Sequence, residues 1–367
     1  MNSETQVKTS ASQTPNLNRK HLKRVKIFGV ILTIIGIGLF SYFVYSVGVN
    51  EIILGVEKIG FGGFALIIFI YFLRISCRAS AWQLSVYEPF KLKFSDALSA
   101  VMIGEALSSI IPLGVIVSGT SKAVAVRNRL PLVVGFSSIA TENLFYSLVT
   151  GIFITFGAIT FLRNSQVPEG WVLIIDALIF LVFFLLLFGF FIVYRQLHFA
   201  SNFCNWLYNR RIGRSILENG RAQVRLFEDL IFGFYRKHPR RFLPICLFEI
   251  IFHALGVTEI LFILSRISEV FPSFYAAFLL ESMSRVITIV FKLVPFLIGI
   301  DEAGAKFISE TLALGTGIGI TLAIIRKGRI LFWTAVGLTL IVRRGLSLKE
   351  IRNFKPKEHL STENFTQ

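Results

Sequence analysis

Windows of about 20 predominantly apolar residues recur along this chain, and they leave it few folds to choose from. They run from Ile27 to Val47, Phe61 to Trp82, Leu130 to Leu162, Trp171 to Tyr194, Phe242 to Leu264 and Gly317 to Val342. At about 1.5 Å per residue, roughly 20 residues cross the ~30 Å of a bilayer's hydrocarbon core. A backbone N–H or C=O has no water to bond there, and an α-helix satisfies both within the segment, so six full spans are expected. Composition agrees: 54% of residues are hydrophobic, 16% are charged and 38 of the 367 are Phe, a balance unlike that of soluble domains. The expected fold class is an all-α polytopic membrane protein.

Two further segments, Phe94 to Arg129 and Ser273 to Gly315, are apolar but broken near the middle. Pro112 with Gly114 interrupts the first, and Pro295 with Gly299 interrupts the second. Proline removes a donor and glycine frees the backbone, so each segment is expected to form a broken helical hairpin, either re-entrant or fully crossing. Ser273 to Gly304 also carries Glu281, Arg285, Lys292, Asp301 and Glu302. An Arg, Lys or Asp at a bilayer centre costs about 2.5–3.5 kcal/mol on insertion scales, so such groups normally face a bundle interior or a wet cavity and mark a pathway.

The formal net charge is +16, and its placement sets orientation better than it points to nucleic acid. Arg19, Lys20, Lys23, Arg24 and Lys26 precede the first span; Arg78, Lys91 and Lys93 follow the second; Arg127 and Arg129 precede the third; Arg343, Arg344 and Lys349 follow the last. The connection from Arg195 to Arg241 adds ten Lys and Arg against three acids on the same side. The positive-inside bias therefore predicts a cell-membrane protein with both termini in the cytoplasm. Its expected organisation is a tail at 1–26, one transmembrane domain at 27–344 and a polar tail at 345–367. The first apolar window, without a small-residue cleavage site, is read as an anchor. Phe203, Trp206, Leu207, Ile216, Leu226 and Phe227 interleave with arginines at about 196–240, as in an amphipathic helix lying on anionic lipid. Cys77, Cys204 and Cys246 form no CxxC pair, and no metal-ligand spacing, P-loop or nucleophile elbow occurs. No cofactor and no enzymatic activity are expected.

Laying Pro112 on Pro295 sets Ser118 beside Asp301 and Glu142 beside Ile325, one residue from Arg326. Each half then reads span, span, hairpin, span, with repeats at about 27–162 and 171–344. Three full spans separate equivalent positions, so the second copy is inverted, an arrangement that many secondary transporters use to build a midplane site from discontinuous helices. The first hairpin is expected to enter from the cytoplasm and the second from outside, leaving a pocket between them.

The run Pro295-Phe-Leu-Ile-Gly299-Ile-Asp301-Glu302-Ala-Gly304 resembles the P-x-x-x-G-x-x-E motif of the transmembrane, flippase-like domain of lysylphosphatidylglycerol synthases. Arg78 and Trp82 ending the second span, the Ile111-Pro112 break, the basic turn after Gly119 and Arg326 in the last span fit that family's layout, so the resemblance covers roughly Phe28 to Arg344. It implies movement of aminoacylated or other polar lipids between leaflets. Two departures bear on the headgroup: Glu142-Asn143 stands where the family often has Glu-Arg, and Lys122 stands where an Arg is common. Only polar residues follow the last span, so a stand-alone member without the soluble synthase domain is expected.

Each candidate residue has a plain role beside a functional one. Glu281 and Arg285, four apart on one helix face, form either an internal pair or a substrate contact. Lys292 either snorkels or holds a phosphate beside the break. Asp301 and Glu302 either cap the helix that follows or project into the pocket. Glu142 and Arg326 lie too deep for easy snorkelling and are read as cavity-facing. Lys122 is either a substrate contact or an ordinary charge near the cytoplasm. Glu249 and His253 share a face, which reads either as a hydrogen-bonded core histidine or as a proton relay. Substrate contacts are thus expected from Arg78, Lys122, Glu142, Glu281, Arg285, Lys292, Asp301, Glu302 and Arg326, with Pro112, Gly119, Pro295, Gly299 and Gly304 shaping the broken helices. Two functions fit: a flippase for a polar or anionic, aminoacylated or sugar-linked lipid, and a non-transporting subunit that scaffolds or delivers lipid to a partner enzyme. The sequence leaves the partner enzyme unspecified and homo-oligomerisation open.

Overall fold

The computed structural model describes residues 45, 49–111, 114–164, 169–210, 214–268, 273–291 and 294–343. The expected first span, both tails, Pro112 and Lys292 lie outside the described residues, Tyr45 excepted. Every regular element among the described residues is helical. In chain order these are α1 (Val49–Leu84), α2 (Phe94–Ile110), α3 (Gly114–Ala125), α4 (Leu132–Asn164), α5 (Glu169–Tyr194), α6 (Phe199–Asn209), α7 (Arg214–Lys237), α8 (Phe242–Ile267), α9 (Phe274–Val290), α10 (Ile300–Thr311) and α11 (Thr316–Arg343).

Three of the described helices are long and apolar enough to cross a membrane by length and composition: Val56–Leu84, Leu132–Arg163 and Pro239–Ile267. The last expected span forms as α11, but Arg326, Lys327 and Arg329 interrupt its apolar run. Large apolar side chains remain exposed on the outer helices, among them Phe180, Phe183, Phe184, Leu187 and Phe188 of α5 and Ile152 and Phe156 of α4. Such a belt suits lipid and would be costly in water.

Both broken hairpins form. α2 stops at Ile110 because Ile111 takes an extended conformation (φ −100°, ψ 128°), which the following proline in the sequence favours. In the second hairpin Ser273 caps α9 by accepting from Ala276 N at 3.1 Å. After Val290 the backbone turns through left-handed Phe296 (φ 52°), Leu297 (φ 51°) and Gly299 (φ 81°) before α10 begins. Gly299 adopts that conformation readily, whereas each of the two non-glycine residues costs about 1–3 kcal/mol that the surrounding packing must offset.

The packing neighbours exchange in pairs. α1 packs on α8; α2 packs on α3, α1 and α11; and α9 packs correspondingly on α10, α8 and α4. α4 meets α3 and α8, while α11 meets α10 and α1. Swapping α1, α2, α3 and α4 for α8, α9, α10 and α11 therefore reproduces the contact pattern, which is what a two-fold repeat requires. Two apolar cores follow from it. One gathers Phe161, Ile260, Ile263, Leu279, Leu280, Leu322 and Ile325 around the second hairpin. The other gathers Ile75, Trp82, Ala97, Ala100, Val101 and Leu130 around the first. Along α11 the chain passes from Leu322 and Ile325 in one core to Trp333 and Val336 against the other, and Arg326, Lys327 and Arg329 fall between. The α11 cations occupy the layer between these two cores.

The connection from α5 to α8 is more than a surface helix. Glu228 on α7 accepts from Ala200 N at 2.9 Å and from the Ser201 backbone and hydroxyl, which caps the start of α6 and folds the two helices together. Leu230, Ile231, Phe232 and Phe234 are buried, in a helix that packs on α4. Phe203 and Trp206 of α6 are exposed. The amphipathic pattern read at 196–240 therefore serves two partners: protein along α7 and open surface along α6.

Candidate functional site

Two arginines one turn apart on α1, Arg74 and Arg78, start two separate charge clusters in the intercore layer. Arg74 is fully buried; its Nη1 lies 3.1 Å from Glu259 Oε2 on α8 and its Nη2 lies 2.8 Å from Glu281 Oε1 on α9. Glu281 also accepts from Arg285 Nε at 2.9 Å and lies 3.2 Å from Arg326 Nη2, so three guanidiniums share one carboxylate. Glu259 completes the chain by pairing with Arg329. Gly256 provides the room: a Cβ there would collide with the Glu281 carboxylate and Arg74 Nη2. Aromatic faces take up the remaining cation surface, with Arg329 4.0 Å above Tyr71 and Arg74 4.5 Å above Phe252.

The second cluster centres on Arg78. Arg78 Nε donates to Glu142 Oε1 at 2.7 Å, Arg78 Nη2 reaches Asn143 Oδ1 at 3.4 Å, and the guanidinium lies 4.0 Å from the Tyr146 ring centroid. Glu249 Oε1 on α8 lies 4.0 Å from Arg78 Nε. On the opposite side of the layer, Lys327 Nζ lies 2.7 Å from Glu302 Oε1 and 3.9 Å from Asp301 Oδ2. Glu302 Oε2 accepts from Gly299 N at 2.8 Å.

Between these clusters lies a cavity of about 230 Å³. Both hairpins contribute to it: Glu105, Ser108 and Ser109 from α2; Ser118, Gly119 and Lys122 from α3; Arg285 and Thr288 from α9; Phe296 and Leu297 from the second break; and Asp301 from α10. Arg78 from α1, Asn143 and Tyr146 from α4, and Arg326 and Arg329 from α11 complete the wall. Five cations thus face two carboxylates. Four of the cations are held by buried glutamates behind the wall; Lys122, 4% exposed, makes no ion pair among the described residues. Gly104 makes space for its stem, because a Cβ there would press on Lys122 Cγ and Ser118 Oγ, each at 2.9 Å.

The expected site residues divide into three groups. Arg78, Lys122, Arg285, Asp301, Arg326 and Gly119 line the cavity. Glu142, Glu281 and Glu302 stand behind the wall as partners of its cations or, for Glu302, of Lys327. The cavity-facing reading of Glu142 is corrected accordingly, because Arg78 draws its carboxylate inward. Glu302 is the capping group of the two alternatives, since it occupies the first turn of α10 and bonds back to Gly299 N. Pro295 and Gly299 form the second break, and Gly304 admits Ile287, whose Cδ1 would collide with any Cβ at that position. Arg74, Glu105, Lys327 and Arg329 were not singled out from sequence. Each was visible as a charge inside an apolar segment, the signal that marked the others.

Comparison with protein-family models matches residues 27–346 to the lysylphosphatidylglycerol synthase TM region. The chain belongs to this family. No curated protein and no solved structure matches it. Membership in the lysylphosphatidylglycerol synthase TM family makes it an integral membrane protein related to lipid handling. The P-x-x-x-G-x-x-E residues of this member, Pro295, Gly299 and Glu302, build the turn and cap of the second hairpin. Chemically, a small cavity with several donors fixed in place suits an anionic oxygen-rich group, since guanidinium forks and an ammonium both bind phosphate.

Proposed function

We propose that this protein is a transporter, not an enzyme, that moves a lipid with an anionic, phosphate-bearing headgroup between leaflets. The observation that carries this reading is the cavity at the meeting of the two hairpins, walled by Arg78, Lys122, Arg285 and Arg326. Lys122 has no ion pair there among the described residues, so an entering phosphate gains a cation without breaking a bridge. Glu105 and Asp301 on the same wall offer carboxylates to an ammonium or hydroxyl on the headgroup, which suits an aminoacylated or sugar-linked lipid. Rocking of one hairpin against the other would expose the cavity to alternate leaflets. In this reading the protein sits in the cell membrane with both termini in the cytoplasm. Its partners are membrane lipids, and its basic connections rest on an anionic leaflet.

The test is translocation of a labelled anionic phospholipid by purified protein in liposomes. Lys122→Met and Arg326→Ala are expected to slow it about tenfold or more, since a charge-assisted hydrogen bond contributes about 1.5–3 kcal/mol. Equal rates in wild type and both folded variants would overturn the site. One observation favours the second reading, a scaffold that presents lipid to a partner enzyme: three arginines already satisfy Glu281, as a purely structural network would. Lipid binding without translocation across a broad panel would establish that reading instead.

A further inference from the structure

Helix α6 carries no charged side chain, yet three of its aromatic rings stand uncovered. Phe199 is 70% exposed, Phe203 52% and Trp206 47%. Spacings of four and then three put all three on one face of a helix, and the Phe203 and Trp206 rings stack at 5.9 Å. Two other faces complete the helix. Ser201, Cys204 and Tyr208 form the side turned to the protein, with Ser201 buried on Glu228 of α7 and the other two partly covered. Asn202, Asn205 and Asn209 form an exposed amide stripe beside the rings.

The position of α6 says what covers the rings. Tyr194 ends α5 and Phe199 begins α6, so the chain between them spans about 18 Å at most. It is in fact folded back: Gln196 is left-handed and Leu197 N donates to Ile192 O at 3.0 Å. Exposed apolar side chains continue across this turn, from Phe184, Phe188 and Phe191 on the lipid-suited face of α5 through Leu197 to the α6 stripe. An arginine stands at each end of the stripe, Arg195 5.9 Å from the Phe191 ring centroid and Arg210 4.5 Å from that of Trp206. Rings at the acyl boundary with cations at the phosphates are the arrangement that a bilayer interface favours.

We propose that α6 is an interfacial anchor, lying in the plane of the leaflet that meets the C-terminal end of α5, with Phe199, Phe203 and Trp206 inserted among the acyl chains just below the headgroups. Such a face sits about 5–10 Å into the boundary. The anchor works whether or not lipid crosses the bilayer. Because α6 itself is uncharged, burial of its rings drives the insertion, and a neutral bilayer is sufficient. The protein side keeps the anchor from swinging on its turn. Glu228 accepts from Ala200 N and from the Ser201 backbone and hydroxyl, and His198 Nε2 lies 2.9 Å from Asp229 Oδ1. α7 in turn packs on α4, where the Phe145 ring stacks on Tyr235 at 5.4 Å.

Trp206 is the probe. Full-length protein and its Trp206→Phe variant are reconstituted in phosphatidylcholine vesicles, with and without phosphatidylglycerol, whose chains are brominated near the carbonyl or near the methyl end. The difference between the two emission spectra isolates Trp206 from Trp82, Trp171 and Trp333. Its emission is expected to be blue-shifted and to lose most of its intensity to bromine near the carbonyl, less to bromine near the methyl end, in both lipids and at high salt. Moving the ring one position, in the Trp206→Phe/Asn205→Trp variant, is expected to give water-like emission that neither brominated lipid quenches. If the tryptophan variants do not fold, spin labels at Phe203→Cys and Asn205→Cys, in a background without the native cysteines, report the same contrast: oxygen reaches the first and a water-soluble nickel chelate the second. Unquenched, water-like Trp206 in wild type overturns the insertion and leaves the rings for a protein partner. Quenching that needs phosphatidylglycerol and vanishes in salt overturns it in favour of docking held by charge, and equal quenching at positions 205 and 206 refutes the orientation.

Discussion

Lys327 Nζ on α11 lies 2.7 Å from Glu302 Oε1 on α10, and the same carboxylate holds Gly299 N through its other oxygen. One side chain thus finishes the turn of the second hairpin and ties that hairpin to the last helix. Arg326, the preceding residue, reaches Glu281 on α9, and Arg329 reaches Glu259 on α8. Three cations within one turn of α11 therefore fasten three different helices, which makes α11 the strut against which the second hairpin is positioned.

Glu302 is fully buried and Lys327 half-buried, so neither partner can lose the other cheaply. Lys327→Met and Glu302→Gln are each expected to lower stability, and the double variant to lose less than their sum. The coupling energy should be about 0.5–3 kcal/mol, the range for residues in one network. Equilibrium unfolding of the four proteins in mixed micelles measures it; additive losses would show that the pair does not fasten the hairpin.

Gly157 on α4 allows the close crossing of α9, because a Cβ there would collide with Ser282 Oγ and Cβ. Gly157→Ala is expected to destabilise by about 1–3 kcal/mol through overpacking. Ser282→Gly, which removes both obstructing atoms, should restore most of that in the double variant. Thermal unfolding followed by tryptophan fluorescence compares the three, and a Gly157→Ala protein as stable as wild type would contradict the tight crossing.

The helices were legible because bilayer thickness imposes a length on apolar runs: Phe242 to Leu264 was expected and Phe242–Ile267 formed. The hairpin breaks were legible because proline and glycine carry their constraint locally. Left-handed Phe296 and Leu297 were not, since nothing in a Phe-Leu pair asks for that conformation and only the packing of the turn imposes it. Which charge meets which was also hidden. Arg74 finds Glu259 at a separation of 185 residues, and one-dimensional spacing reaches only partners on the same helix, such as Glu281 with Arg285. Glu302 looked as able to face the pocket as to cap, because its direction depends on which residue starts α10.

His238, just before α8, gives a pH dependence outside the spans. Burial first, and the neighbouring Arg241 and Lys237 charges next, lower its pKa below the usual 6.5, against the opposing effect of Glu88. The unfolded chain then binds the proton more tightly than the folded one. Stability is complete above about pH 6.5 and falls as the pH drops from there toward the folded value. The melting temperature should therefore decrease on acidification from about pH 7.5 to 5.5, and His238→Gln should reduce that decrease. An identical pH profile in the variant would remove His238 from the cause.

Glu281 and Arg326 test whether the central network has a hub. Glu281 serves Arg74, Arg285 and Arg326, all buried or nearly so. Glu281→Gln leaves three cations facing a neutral amide, and removing one side of a buried pair typically costs about 3–5 kcal/mol. Arg326→Met removes one cation of three and leaves Glu281 compensated by the others, so its cost is expected to stay near 2 kcal/mol, within the range for a charged hydrogen bond. Melting temperatures of the two variants under identical detergent conditions give the order, with Glu281→Gln the lower. The reverse order would mean that Arg326, through Ser284 Oγ at 3.2 Å and the wall of the cavity, organises the layer more than the carboxylate it shares.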